Sequence, residues 1–326
     1  MLKTKSAFFM VMILGSLITL FSNSWISMWM GLEINMMSFI PLMKSKMKKT
    51  SEAIMIYFLV QSMSSALLMF SIITSYMKMN SSMMLSMIMF STLMIKMGAA
   101  PFHMWVPEIM SKMSWKSCIM LMTWQKLAPM SMTMNSAPKS ELLMMTVVMS
   151  VIVGSIGGIN QTSLRKIMAY SSINHLGWML TLNKIQNNWM SYLIMYSIMV
   201  MMICTMFSSY NMLFINQINS MNLSMMEKTT IVTSMMSLGG LPPFLGFLPK
   251  WMVIQILVEN NMYMMLLIMI ISSLVTLFYY MRTMTYMIMQ QSTVNKWLLN
   301  KSNQKLIKYM ILVNFSLPLM MIMNLL

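Results

Sequence analysis

Long apolar runs separated by short polar connections extend over the whole chain. The runs are continuously apolar and do not alternate with a period of two, so they predict helices rather than the strands of a membrane barrel. A membrane span needs about 20 predominantly apolar residues. We therefore predict an all-α polytopic membrane protein with about eleven spans. They lie at 7–22, 24–43, 52–77, 82–105, 115–134, 140–158, 164–182, 188–215, 228–257, 261–288 and 306–325.

Two apolar runs are interrupted by glycine and proline in the same register, G-x-x-P-F-x4-P followed by a charged residue. We name them the first break (98–108) and the second break (240–250). Interrupted helices free backbone groups that must face protein or water, and a corresponding pair of them is typical of transporters with internal repeats. We predict a single membrane domain over 1–326 with approximate repeat halves at 24–134 and 140–257. The alternative is a chance match between two proline-kinked helices.

The composition excludes a soluble protein. Charged residues make up 9% of the 326 residues, against about 25% in ordinary soluble domains, and hydrophobic residues make up 58%. Eleven spans of about 20 residues leave roughly ten residues for each connection, so no sizeable soluble domain fits. The net charge of +16 would suggest nucleic acid in a soluble protein. Here the basic residues lie mostly between apolar runs, which indicates a role in membrane topology and no nucleic-acid partner.

The basic residues are distributed unevenly between the two predicted sides. Sixteen of the 22 fall on the side of the N-terminus, three (Lys78, Lys139 and Lys184) on the other side, and three inside spans. The positive-inside rule therefore places the N-terminus on the positive side, which is the matrix in a mitochondrion. The segment 295–308, ahead of the last predicted helix in the C-terminal part 295–326, is basic and amphiphilic and predicts a surface helix.

The chain carries 58 Met among its residues. With only two Arg, this bias indicates an AT-rich genome whose code reads AUA as Met, as in mitochondria. The apolar N-terminus lacks a small-residue cleavage site and is followed by further spans, so we interpret it as the first span rather than a signal peptide.

Four charged residues fall at membrane depth or beside the breaks: Glu33, Lys96, Lys126 and Lys250. A charge at the bilayer centre costs a few kcal/mol even on the lenient insertion scale. We predict that Glu33 pairs with Lys96 and that protons pass along Lys126 to Lys250. The alternative is a set of structural ion pairs or snorkelling side chains.

The remaining polar candidates are weaker. Glu108 ends the first break and His175 lies at membrane depth beside hydroxyl and amide side chains, so both are tentative members of the relay. The alternative for His175 is interhelical hydrogen bonding. Glu52, Glu141 and Glu227 stand at the starts of predicted spans and suit helix N-termini.

No cofactor or metal site is evident. The two cysteines, Cys118 and Cys204, and the two histidines have no metal or iron–sulfur spacing, and no Gly-rich nucleotide-binding loop follows a strand.

Five segments together have a distinctive composition and order. They are WMGLEIN at 29–35, KMGAAPFHMWVPE at 96–108, TWQKLAP at 123–129, GGINQTSLRKIMAYSSINHLGW at 157–178 and LGGLPPFLGFLPKW at 238–251. In these segments the chain closely resembles the subunit 2 family of mitochondrial NADH:ubiquinone oxidoreductase, respiratory complex I, of the invertebrate type.

The resemblance implies an antiporter-like, proton-pumping subunit with eleven helices, two of them discontinuous. It implies that Glu33, Lys96, Lys126 and Lys250 form a central hydrophilic axis. FMN, iron–sulfur clusters, NADH and ubiquinone are then used by other subunits, and this chain binds no cofactor. The implied partners are other membrane-arm subunits, including neighbouring antiporter-like ones, and membrane lipids such as cardiolipin; the implied location is the mitochondrial inner membrane.

Two other functions fit part of the pattern. A free-standing cation/proton antiporter would also need buried charges and broken helices. A structural membrane subunit with vestigial charges would carry them without moving protons.

Overall fold

The structure is a computed structural model that describes residues 2–45, 48–77, 82–136, 140–185, 188–220, 224–289 and 304–317. Within these ranges the chain is helical, with an isolated antiparallel bridge between Ser163 and Phe214, and the predicted all-α class is confirmed. The helices are α1 (Leu2–Phe21), α2 (Trp25–Met43), α3 (Lys48–Tyr76), α4 (Ser82–Met97), α5 (Trp105–Lys112), α6 (Trp115–Met122), α7 (Trp124–Asn135), α8 (Ser140–Ile159), α9 (Leu164–Ile185), α10 (Trp189–Ser209), α11 (Ile215–Ser220), α12 (Met225–Gly239), α13 (Phe247–Glu259), α14 (Tyr263–Ile288) and α15 (Gln304–Asn314).

Five of the described helices are long and apolar enough to cross a membrane: Trp25–Met43, Lys49–Tyr76, Glu141–Ile159, Trp189–Ser209 and Tyr263–Ile288. Lys5–Phe21 and Met84–Met97 are shorter apolar helices. Of the other four predicted spans, two are divided into short helices, and α9 is long but carries polar side chains. The fourth, at 306–325, lies only partly within the described residues. The count of eleven spans stays a prediction.

Both breaks coincide with the end of a helix. α4 ends at Met97 and α12 at Gly239, and the glycine that follows each helix is left-handed, with φ of 70° at Gly98 and 77° at Gly240. Glycine adopts this conformation without steric cost and commonly ends a helix. The chain becomes helical again at Trp105 and Phe247.

A third interruption, at Thr123, was not predicted. The span expected over 115–134 is divided into α6 and α7, and Thr123 between them has φ −112° and ψ −71°. Pro129 lies inside α7, and a proline inside a helix removes one hydrogen bond and collides with the carbonyl four residues earlier. Here that carbonyl belongs to Gln125, so the first turn of α7 has irregular bonding.

The chain forms two compact units. Unit 1 comprises Met1–Ser150 with Asn183–Asn187, and unit 2 comprises Val151–Leu182 with Asn188–Leu326. The boundary falls inside α8, whereas the predicted repeat boundary lies between 134 and 140.

The contacts of α8 explain where the units divide. In its first half, Leu142 and Thr146 line a groove together with residues of α4. In its second half, a Cβ atom at Gly154 would lie 2.6 Å from the backbone nitrogen of Asn174 on α9. Gly157 and Gly158 approach Tyr170 and Tyr279 as closely, so three glycines let the second half of α8 pack against α9 and α14 within unit 2.

The core of unit 1 is a cluster of apolar side chains from α2, α3, α4 and α7. Its members are Met28, Leu32, Leu68, Ile72, Met89, Leu93, Ala128 and Met132, with Trp25 and Trp29 packed against them. Three of these helices, α2, α4 and α7, also carry Glu33, Lys96 and Lys126, so the core fixes the relative positions of these charges.

α1 and α2 approach each other through glycines. A Cβ atom at Gly31 would lie 2.5 Å from Thr19 Cγ2 and 2.8 Å from the carbonyl oxygen of Gly15. Such small residues let two membrane helices come into backbone contact. Gly31 is two positions before Glu33, so this crossing also sets where α2 presents its carboxylate.

The glutamates expected at helix N-termini behave differently. Glu227 accepts a hydrogen bond from the backbone N–H of Ser224 at 2.8 Å and caps α12, and Glu141 lies in the first turn of α8. Glu52 was predicted wrongly, because α3 begins four residues earlier, at Lys48, and Glu52 pairs with Lys112 instead.

Parts of the topology prediction lie outside the described residues. These are Lys78 and Lys139, most of the basic segment 295–308, and residues 318–326 of the last predicted span. The backbone of Lys184 is described within α9, but its side chain is not.

Candidate functional site: buried charges of units 1 and 2

The predicted ion pair between Glu33 and Lys96 is present. Lys96 Nζ lies 3.7 Å from Glu33 Oε1, and the lysine side chain is 2% exposed against 22% for the glutamate. Glu33 lies in the middle of α2, and Lys96 in the last turn of α4. A buried ammonium needs a partner because desolvation penalises the charged form, and the carboxylate offsets that penalty.

The position of Lys96 follows from the first break. α4 ends at Met97, where the amides of Gly98 and Ala99 bond back to the carbonyls of Ile95 and Met94, and a cation close to these C-terminal carbonyls is favourable. The side-chain amide of Gln61 on α3 satisfies a further one, donating to the Lys96 carbonyl at 3.2 Å.

Lys126 follows the unpredicted interruption at Thr123 and lies in the first turn of α7. It is 3% exposed. Its side chain and that of Lys96 line one cavity of about 20 Å³, which we name the lysine cavity. The structure thus brings Glu33, Lys96 and Lys126 together in unit 1, as the sequence analysis predicted for the first part of the relay.

The sequence analysis did not identify the neutral polar residues that lie beside the two lysines in unit 1. Asn35, Tyr57, Gln61 and Gln125 also line the lysine cavity. The two residues in the motifs WMGLEIN and TWQKLAP, Asn35 and Gln125, could have been noted from their proximity to Glu33 and Lys126. Tyr57 and Gln61 lie in an apolar run without any sequence signal.

Lys250 is in unit 2, where it is the last residue of the second break and lies in the first turn of α13. It is 6% exposed, and its ammonium donates a hydrogen bond to the carbonyl of Gly239 at 2.7 Å. Its Nζ also lies 5.7 Å from the ring centroid of Trp178. Gly240 leaves room for the lysine stem, since a Cβ atom there would lie 2.7 Å from Lys250 Cδ.

His175 is buried in unit 2 on α9. Its Nδ1 atom lies 2.8 Å from the hydroxyl of Tyr192, and its ring lies 4.8 Å from that of Tyr196, both on α10. The interhelical hydrogen bond that the sequence left open as an alternative is therefore present. A hydrogen-bonded imidazole can still take up or release a proton.

Glu108 is separate from the buried charges. It lies on α5 in an exposed ion pair, with Oε1 3.3 Å from Lys112 Nζ, and Lys112 lies 3.1 Å from Glu52 Oε2. The hydrogen bond to Glu52 raises the pKa of Lys112, and Glu108 acts in the same direction. The register shared by the two breaks aligns Glu108 with Lys250, but the two side chains lie in opposite environments.

Metal-ligating groups do not cluster in the described residues: no set of three or more His, Cys or Glu side chains there could hold a metal ion. Cys118 and Cys204 are both buried, and neither is part of a disulfide in the described residues.

Comparison with known proteins identifies relatives. The family described as NADH:quinone oxidoreductase/Mrp antiporter, TM, matches residues 22–276. NADH-ubiquinone oxidoreductase chain 2 of Anopheles gambiae is 44% identical, over 96% of this chain and 94% of the relative. The protein of the same name from Locusta migratoria is 45% identical, over 93% and 91%.

The fold is similar to that of a chain in the structure of respiratory complex I from Thermus thermophilus with bound aureothin. The TM-score is 0.82 at 19% identity, over 95% of this chain and 76% of that chain. The family match and the insect relatives, which cover nearly the whole chain, show that the protein belongs to the NADH-ubiquinone oxidoreductase chain 2 family, within the NADH:quinone oxidoreductase/Mrp antiporter proteins.

Proposed function

We propose that the chain is a proton-translocating membrane-arm subunit of respiratory complex I in which Glu33, Lys96 and Lys126 carry the proton in unit 1. The observation that carries this proposal is the ion pair at 3.7 Å between Glu33 and a lysine that shares a cavity with a second buried lysine. A structural ion pair requires one lysine and one carboxylate, and it gives no reason for a second buried lysine at the same cavity. A proton relay needs groups that exchange protons over short distances.

Opening and closing the Glu33–Lys96 ion pair changes the free energy of the Lys96 proton by enough to drive proton transport. At about 4 Å and an effective dielectric constant of about 20, two unit charges attract each other by about 4 kcal/mol. Moving one charge against 100 mV requires about 2.3 kcal/mol. Opening the Glu33–Lys96 pair therefore lowers the proton affinity of Lys96 by enough to drive a proton against the membrane potential, and closing it restores that affinity.

Lys250 and His175 are the proposed proton carriers of unit 2. Among the described residues, the Lys250 ammonium bonds to a backbone carbonyl rather than to a carboxylate, so its charged form has less compensation than that of Lys96. His175 has a hydroxyl within hydrogen-bond distance. Glu108 is not a carrier in this proposal; it stabilises the surface beside Lys112.

The complex supplies the redox chemistry. NADH oxidation and ubiquinone reduction, with FMN and the iron–sulfur clusters, belong to other subunits, and this chain binds no cofactor. It is a multi-pass protein of the mitochondrial inner membrane, and its partners are other membrane-arm subunits, including antiporter-like ones. A conformational or electrostatic signal from them opens and closes the Glu33–Lys96 pair.

The proposed topology has eleven spans with the N-terminus in the matrix. Two contacts within unit 1 support a common side for three connections. The Lys5 ammonium donates to the Lys44 carbonyl at 3.2 Å, and Lys112 pairs with Glu52. The beginning of α1, the α2–α3 connection and the end of α5 therefore face the same side, and all three carry basic residues.

An anionic phospholipid such as cardiolipin is a proposed ligand of a groove between α12 and α14. The groove encloses about 330 Å³ and is lined by Met225, Lys228, Thr229, Val232, Thr233, Met287 and Ile288. Its walls suit acyl chains, and Lys228 supplies positive charge for a phosphate. We expect Lys228→Met to lower the amount of cardiolipin that the purified complex retains, measured by mass spectrometry. The control is Lys5→Met, at an exposed position near the beginning of α1, which should leave that amount unchanged. Equal retention in both variants contradicts the lipid site.

One experiment tests the main proposal. Complexes carrying Lys96→Met or Lys126→Met are reconstituted in vesicles, and proton pumping and NADH oxidation are recorded together, with native electrophoresis as the assembly control. The expected result is assembled complex with pumping reduced at least about a hundredfold, the scale of a lost proton-transfer group. Normal pumping by both variants supports the structural-subunit alternative. A chain that migrates away from NADH dehydrogenase activity supports the free-standing antiporter.

A further inference from the structure

The lysine cavity is lined by both polar and apolar residues. Besides Lys96 and Lys126, the polar residues Tyr57, Asn35, Gln61 and Gln125 line it together with apolar ones, and it encloses about 20 Å³. A cavity needs about 10–15 Å³ and two to four polar partners to hold a water molecule, and dry cavities are apolar. The lysine cavity meets both conditions for one water molecule.

Three of these side chains form a hydrogen-bonded row across α3, α7 and α2. The Tyr57 hydroxyl donates to Gln125 Oε1 at 3.3 Å, and Gln125 Nε2 donates to Asn35 Oδ1 at 3.0 Å. Gln125 Nε2 also lies 3.5 Å from the sulfur of Met12. The row is therefore ordered in one direction, from the phenol to the asparagine.

At the end of the row, the side-chain amide nitrogen of Asn35 donates no hydrogen bond among the described residues. Asn35 is 1% exposed, and its Nδ2 atom is buried without a hydrogen-bond partner among the described residues. A buried polar group without a partner costs about 1–3 kcal/mol, so a water molecule in the adjoining cavity is strongly favoured. The oxygen of the Tyr57 hydroxyl can accept a hydrogen bond from the same water molecule while its O–H still donates to Gln125 Oε1.

We infer that Tyr57, Gln125 and Asn35 are positioning residues that hold one water molecule between Lys96 and Lys126. The inference rests on the proposed relay. When the Lys96 ammonium releases its proton, the water oxygen accepts it as one of the water's own protons passes to the Lys126 amine. Lys96 becomes neutral, Lys126 becomes charged, and the water molecule is regenerated.

Neutral positioning groups suit this step. A carboxylate at the position of Gln125 would stabilise the ammonium of the neighbouring lysine and trap the proton there. An amide and a phenol orient the water molecule without favouring either protonation state by a full charge. Gln61 fixes the backbone of Lys96 and leaves its ammonium free to exchange the proton.

The test uses the assembled complex in vesicles with the variant Tyr57→Phe, which removes one hydroxyl at constant shape. Its control is Tyr76→Phe, the same change at an exposed position on α3. Proton pumping is measured during NADH oxidation, and a density map that resolves ordered water is obtained for wild type and variant. We expect Tyr57→Phe to pump about tenfold more slowly than wild type and to lack the cavity water. Tyr76→Phe should match wild type in both measurements.

A second variant, Gln125→Met, breaks the row at its centre and is expected to have the same two effects. Wild-type pumping in both variants, while Lys96→Met and Lys126→Met stop pumping, overturns the inference and leaves the proposed function in place. Slow pumping with the water density unchanged also overturns it. Normal pumping in the lysine variants removes the proposed function itself.

Discussion

The ammonium of Lys250 donates a hydrogen bond of 2.7 Å to the carbonyl of Gly239, across the second break. Lys250 therefore caps the end of α12 from the next helix, α13. A cation at this position interacts favourably with the partial negative charge of the helix C-terminus. The same side chain is thus a structural cap and the proposed proton carrier of unit 2.

Two substitutions separate these roles. Lys250→Arg keeps a permanent positive charge that does not deprotonate in proteins, so it preserves the cap and prevents proton release. We expect the variant to assemble normally and to pump at least about tenfold more slowly in vesicles. Lys250→Met loses both roles and is expected to lower thermal stability as well. Wild-type pumping by an assembled Lys250→Arg complex would falsify the carrier role and leave only the cap.

Replacing Gly31 with alanine tests the crossing of α1 and α2. A Cβ atom there would lie 2.8 Å from the Gly15 carbonyl oxygen, so the two backbones must separate. We expect a loss of about 1–3 kcal/mol in stability, measured by thermal unfolding of the complex in mild detergent. Gly239→Ala is the matched control, since its new Cβ would have ordinary contacts at 3.7 Å. Equal unfolding temperatures for the two variants contradict close backbone contact at Gly31.

Glu108→Gln removes one carboxylate from the exposed pair with Lys112. Exposed ion pairs contribute about 0–1 kcal/mol, so we expect little change in thermal stability and unchanged proton pumping. The pKa of Lys112 then falls toward its ordinary value, while Glu52 still holds it raised. A lysine whose pKa is raised in the folded state contributes stability at pH values below its unfolded-state pKa, which include neutral pH, so the variant loses only the part of that contribution that comes from Glu108. A large fall in the pumping rate of this variant would contradict the expectation and indicate that Glu108 takes part in proton transfer.

Arg282 anchors the connection after α8. Its guanidinium donates to the carbonyls of Ile159 and Gln161. Lysine cannot reproduce this planar pair of donors, so Arg282→Lys is expected to cost about 1.5–3 kcal/mol.

The readout for Arg282→Lys is hydrogen exchange in the short pairing that this connection makes with residues 213–215. There the Leu164 amide donates to Leu213 and the Ile215 amide to Thr162. Both amides should lose protection. The amide of Met269, a buried residue in the interior of α14, serves as the internal reference, and a uniform change across all three amides indicates global destabilisation instead of a lost anchor.

The four charged residues at membrane depth were predictable from the sequence. Glu33, Lys96, Lys126 and Lys250 were identifiable because a charge inside an apolar run is costly and rarely accidental. The helix ends before Gly98 and Gly240 were predictable from local backbone chemistry. Pairing between Glu33 and Lys96 was a hypothesis that the contact at 3.7 Å bears out.

The interruption at Thr123 and the neutral residues of the lysine cavity were not predictable in the same way. Pro129 was visible in the sequence, but prolines also occur inside membrane helices that continue through them, as Pro41 does in α2. Tyr57 resembles other aromatic residues in apolar runs. Its relation to Gln125 arises only when α3 and α7 pack together.

By itself, the sequence determined the helical class, the membrane environment, the positions of the first and second breaks and the four charges at membrane depth, because each follows from local backbone chemistry or from the local cost of placing particular groups in lipid. Only the tertiary structure decided that Lys96 and Lys126 share a polar cavity, that Lys250 caps α12, and that Glu108 lies at the surface. Contacts between residues distant in the chain depend on the packing of whole helices, and local periodicity carries no information about which polar side chains then meet.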